Sequence, residues 1–112
     1  METQKELIEN LIEWSLEKKA EDIKHYDIHE ESNYTDFVLI CHGNGPLHVQ
    51  AIAQNIIEKC KENKIRIYST EGLSNAKWVL IDLIDIVIHV FDEETRNHYR
   101  LEDLLEINPK RN

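Results

Sequence analysis

The most constraining part of the chain is Lys77 to Phe91, KWVLIDLIDIVIHVF. Two apolar runs, Trp78 to Ile81 and Ile86 to Phe91, flank Asp82-Leu83-Ile84-Asp85. Both runs are short and the second is rich in β-branched residues, which favours strands over a helix. The link between them is too short for a crossover, so the pair should be an antiparallel hairpin. Neither run alternates. Apolar residues at nearly every position imply a sheet covered on both faces, and the rest of the chain must supply that cover or a partner must.

The chain has 112 residues, which suits one domain over residues 1–112 with a core over about 3–107, large enough to fold without metal or disulfide staples. It carries 13 Lys and Arg against 22 Asp and Glu, a formal charge of −9. A net acidic domain is poorly suited to wrapping a phosphate backbone, so sequence-specific nucleic-acid binding is not expected. Contact with the protein part of a nucleoprotein stays open. No run approaches the ~18 apolar residues of a membrane span, and METQKELIEN has no signal-peptide pattern. Cys41 and Cys60 sit far apart inside apolar patterns, as buried free thiols of a cytoplasmic protein would.

From the start of the chain, Thr3 and Glu6 have capping-box spacing, and Leu7, Ile8, Leu11, Ile12 and Leu16 predict an amphipathic helix over about 3–21. Trp14 lies at the edge of that stripe, either as a core residue or as a contact to a second subunit. Asp22 to Ile28 reads as an edge strand, Glu30 to Thr35 as a turn, and Asp36 to His42 as a strand apolar on both faces. Gly43-Asn-Gly-Pro46 is the strongest loop signal, with Pro46 suited to a first helical turn. Val49, Ile52, Ala53, Ile56, Ile57 and Cys60 predict a second amphipathic helix over about 46–63. Ile65 to Ser69 alternates as a third strand, Thr70 to Ala76 reads as a loop, Glu93 to Tyr99 as a short helix, and Leu101 to Ile107 as an apolar C-terminal turn. The order α-β-β-α-β-β-β-α gives an α/β (α+β) domain with a mixed five-stranded sheet and flanking helices. The second strand, second helix and third strand should form a right-handed βαβ unit. So few helices cannot blanket both faces of five strands, so part of one face should be open to another protein.

Three constellations invite chemistry. The Gly43–Pro46 turn stands where a phosphate cradle would, between strand and helix, but it lacks a GxGxxG or Walker pattern and any basic residue. Asp82 and Asp85 could bind a divalent metal, yet a nucleotidyl-transfer site wants Asp-x-Asp on one strand face, and a spacing of three spoils that. His42 and His48 flank the glycine turn and could approach each other, and His89 lies in the last strand, without the local spacing of a structural zinc site. Turn-forming aspartates and hydrogen-bonded histidines are the simpler account. Arg96, with Glu93 and Glu94, reads as a helix-end charge, exposed and able to meet a partner's carboxylate.

The segments Lys19-Ala20-x-Asp22-Ile23, Asp36 to Cys41, Gly43-Asn44, His48 to Ala53, Glu71-Gly72, Trp78 to Asp82, Asp85 to Phe91 and Glu94-Thr95-Arg96 occur in an order and spacing that resemble the ribosomal silencing factor family, also called Iojap-related. The resemblance runs over about residues 7–105. It implies a nucleotidyltransferase-like fold without transferase activity. It also implies binding to the L-fourteen protein of the large ribosomal subunit, which blocks joining of the small subunit and lowers translation. Homodimers are a further implication. The docking residues it assigns are Trp78, Leu80 and Asp82, with Lys77 and His89 beside them. The chain departs from the family pattern at Gly45-Pro46-Leu47, at Asp92, and at Leu83-Ile84, where the family favours an aromatic and a small residue.

The sequence therefore predicts a ribosome-associated translational repressor, not an enzyme, with no cofactor and no metal. The alternatives are a nucleotide-dependent transferase using the Gly43–Pro46 turn with Asp82 and Asp85, or a homodimeric interaction module.

Overall fold

The structure is a computed structural model that describes residues 3–28 and 35–106. The elements are α1 (Gln4–Glu17), β1 (Glu21–Asp27), β2 (Phe37–Gly43), α2 (Pro46–Glu62), β3 (Ser69–Glu71), β4 (Trp78–Asp82), β5 (Ile86–Asp92), α3 (Glu93–Tyr99) and α4 (Leu101–Glu106). The turn expected at 30–35 and the apolar end at Ile107 lie largely outside the described residues.

Thr3 caps α1 as expected. Its hydroxyl accepts from the Glu6 amide while the Glu6 carboxylate accepts from the Thr3 amide, closing a capping box. The helix stops at Glu17, short of the expected residue 21, because Lys19 turns left-handed (φ 61) and the Ala20 amide bonds back to the Ser15 carbonyl. A lysine in that role gives no glycine signal. Pro46 opens α2 behind Gly45, and its stripe of Val49, Ile52, Ala53, Ile56 and Cys60 is buried.

The sheet order is β1-β2-β5-β4-β3. β4 and β5 are antiparallel neighbours, the expected hairpin, while β2 pairs with β5 in parallel from Phe37↔Ile86 to Gly43↔Asp92. The expected βαβ unit is not one of adjacent strands: β3 lies beyond β5 and β4, at the far edge. β3 is also later than expected. Lys64 is left-handed (φ 59) and the Ile65 amide closes the end of α2 on the Cys60 carbonyl. The chain therefore meets the sheet only at Tyr68, whose amide bonds the Asp82 carbonyl.

One face is sealed. Ile8, Leu11 and Trp14 of α1 and the α2 stripe bury Leu39, Cys41, Val79, Ile81, Ile86, Ile88 and Val90. Trp14 is thus core. Burial pushes the Cys41 thiol up to about 12, which leaves it uncharged and inert. On the other face Leu101 and Leu105 of α4 pack with Ile28, Val38, Ile40 and Phe91. That cover reaches only part of the sheet. β2 is buried on both faces, but β4 alternates between half-buried and buried. The apolar pattern of β4 therefore does not mean cover on both sides, because Trp78, Leu80 and Asp82 face outward.

Candidate functional site

Strand register assembles the open face. Trp78 stands opposite Phe91, Leu80 opposite His89, and Asp82 opposite Val87. On the far side of β5, Ile40 pairs with His89 and Val38 with Val87. On the near edge Glu71 pairs with Leu80 and Ser69 with Asp82. Four of the residues named from the sequence, Trp78, Leu80, Asp82 and His89, thus share one surface. Lys77 is exposed just before β4, and its carbonyl accepts from the Asp92 amide.

Trp78 is held by aromatic neighbours, with ring centroids 4.8 Å from Phe91, 4.8 Å from Tyr99 and 6.0 Å from His89. Its indole Nε1–H donates to His89 Nδ1 at 3.0 Å. Indole can only donate, so His89 carries its proton on Nε2. Burial holds the His89 pKa down at about 4, which keeps the ring neutral near neutral pH. The centre of the face is therefore uncharged and half-buried. Tyr99, 56% exposed, extends it onto α3.

Asp82 is half engaged, since its Oδ1 accepts from the Ile84 amide at 2.8 Å. Ile84 has φ 76, and the Asp85 amide reaches the Leu83 carbonyl, so the hairpin closes in a three-residue turn centred on a β-branched residue. A residue without a branched side chain would fit this left-handed backbone with less strain.

The transferase constellation does not assemble. β2 and β5 run in parallel, so the Gly43–Pro46 turn lies at one end of the sheet, beside Asp92. Asp85 lies at the other end, its carbonyl accepting from the Asp36 and Phe37 amides. Seven strand residues separate the two, roughly 20 Å. The turn is also closed internally. His48 Nδ1 accepts the Asn44 amide at 2.8 Å, His48 Nε2 donates to the Lys18 carbonyl at 2.7 Å, and the Asn44 side chain donates to Glu21. A carboxylate at its mouth repels phosphate. Among the described residues no group of three or more His, Cys, Asp or Glu could hold a metal.

His42 turns away from His48 toward Arg96. The expected exposed helix-end arginine is in fact 3% exposed. Arg96 Nη1 donates to the Asp22 carbonyl at 2.8 Å and to His42 Nδ1 at 2.9 Å, while Nε donates to Glu102 at 2.9 Å. Asp22 adds a carboxylate 3.6 Å from Nη2. One residue of α3 thereby ties β1, β2 and α4 together. Asp22 sits at φ 49, in the bulge between Glu21 and Lys24 that turns its carbonyl inward. Helical pattern alone points Arg96 outward, so the sequence reading missed it.

The model of the family described as ribosomal silencing factor during starvation matches residues 1–112. Ribosomal silencing factor RsfS of Bacillus subtilis (strain 168) is 47% identical over 88 residues, covering 79% of this chain and 75% of that protein. A crystal structure from Bacillus halodurans superposes with a TM-score of 0.83 at 42% identity, covering 90% of this chain and 94% of that one. A mouse protein named mitochondrial assembly of ribosomal large subunit protein 1 is 30% identical over 100 residues, which span 87% of this chain and 44% of its own length. Model, sequence identity and shared fold agree, and the chain belongs to the ribosomal silencing factor family.

Proposed function

We propose that this ribosomal silencing factor docks on the large ribosomal subunit through the open sheet face and blocks joining of the small subunit by steric occlusion. The partner on that subunit is its L-fourteen protein, and the protein works in the cytoplasm. The observation that carries the reading is the register of β3, β4 and β5, which gathers Trp78, Leu80, Asp82 and His89 on the face that α3 and α4 cover only in part. The neutral Trp78, Leu80, Val87 and His89 cluster would lose water against the partner, and Asp82 and Lys77 would set orientation at the rim. The acidic chain suits a protein surface better than bare RNA.

The mouse relative's name, with its reference to the ribosomal large subunit, supports the choice of subunit. Occlusion is a stoichiometric mechanism and asks for no active site. Light scattering from mixed small and large subunits tests it. One equivalent of the protein per large subunit should suppress the joining signal, and isolated L-fourteen protein added in excess should restore it. Unimpaired joining at saturating protein would refute occlusion.

A further inference from the structure

We infer that Glu71 selects the partner, by drawing one of its basic side chains into a recess beside the open face; this rests on the docking reading above. The recess has a volume of about 330 Å³ and is lined by Glu71, Gly72, Trp78 and Leu80. Its floor is aromatic and aliphatic, and its rim carries a carboxylate.

The backbone builds the recess. Gly72 has φ 83, and a Cβ there would collide with the Trp78 carbonyl oxygen. Glycine brings the end of β3 hard against the start of β4. Glu71 pairs in register with Leu80, which puts its side chain on the open face, and it is exposed. Asp82, the next acid along this edge, gives Oδ1 to the Ile84 amide. The Glu71 carboxylate has no such commitment among the described residues.

A lysine or arginine matches this shape: its aliphatic stem lies over Leu80 and the indole while its charged head meets the carboxylate. The net charge of −9 steers cationic partners toward the chain, and a rim carboxylate would fix their register.

Equilibrium binding to purified large subunits, measured across a range of salt concentrations, tests the inference. Glu71→Gln should weaken binding about fivefold and flatten its salt dependence, and Glu71→Arg should weaken it about twentyfold or more. Thr70→Arg is the control. Thr70 is exposed on the same strand but in register with Ile81 on the opposite face, so its binding should be undiminished. Wild-type binding by Glu71→Arg, or an equal loss in Thr70→Arg, would overturn the inference. Leu80→Glu, measured alongside, separates the two levels. If it abolishes binding while Glu71→Arg binds normally, the recess fails and the docking face stands. If it too binds normally, the docking reading itself fails.

Discussion

Trp78 and His89 are diagonal neighbours across the β4–β5 pair, joined by a 3.0 Å hydrogen bond from indole Nε1 to imidazole Nδ1. The bond fixes the histidine tautomer and presents a neutral ring to the surface. Protonation would place two donors against each other, and burial already opposes it by holding the His89 pKa at about 4. The ordinary histidine value of 6.5 applies to the unfolded chain. Between pH 6.5 and 4 the unfolded state therefore binds the extra proton, and stability falls as pH falls through that window. The His89 contribution is at most about 3 kcal/mol. Urea unfolding at pH 7 and pH 4.5 should show a smaller acid loss in His89→Gln than in the wild type; equal losses would contradict the assignment.

Arg96 should be the most sensitive charged residue of the fold. Arg96→Met strips Glu102, His42 and the Asp22 carbonyl of one shared donor group, and should cost about 3–5 kcal/mol in urea denaturation. Arg96→Lys should recover only part of this, since an ammonium cannot bond three partners in those directions. A loss below about 1 kcal/mol in Arg96→Met would show that the network is not holding α3 and α4 to the sheet.

Ile84→Gly should be neutral or stabilising by about 1 kcal/mol. It relieves a β-branched residue at φ 76, and the greater freedom of glycine in the unfolded chain offsets part of that gain. Thermal unfolding reads the sign, and a marked destabilisation would mean that the half-exposed Ile84 side chain makes contacts that outweigh its backbone strain.

Gly72→Ala should destabilise by about 2–4 kcal/mol, because both its φ of 83 and the Trp78 carbonyl forbid a side chain. Tryptophan fluorescence should change with it, since Trp78 must move to make room. An unchanged spectrum and unchanged stability would contradict the close approach of β3 to β4.

Much of this was legible in the sequence because it rests on local pattern. The hairpin, the Thr3 capping box, the Pro46 start of α2 and the edge position of β1 all follow from spacing or composition. What was not legible depends on partners distant in sequence. Arg96 looked like a surface charge because its companions, Asp22 and His42, lie 74 and 54 residues away. The displaced β3 followed from left-handed Lys64, which no glycine announced. Trp78 and Leu80 on the outward side of β4 are as apolar as Val79 and Ile81 on its inward side, so the placement of α3 and α4 tells which face stays open.

The face proposed to dock on the large subunit is the one around Leu80. Leu80 is half-buried and outward-facing, so a charge there disturbs a partner more than the core. Co-sedimentation of Leu80→Glu with purified large subunits, after urea unfolding has confirmed that the variant folds, tests this most directly. Docking through this face predicts at least a tenfold loss of binding, on the order of 1.4 kcal/mol or more. A folded Leu80→Glu that co-sediments as fully as the unmodified protein would contradict it.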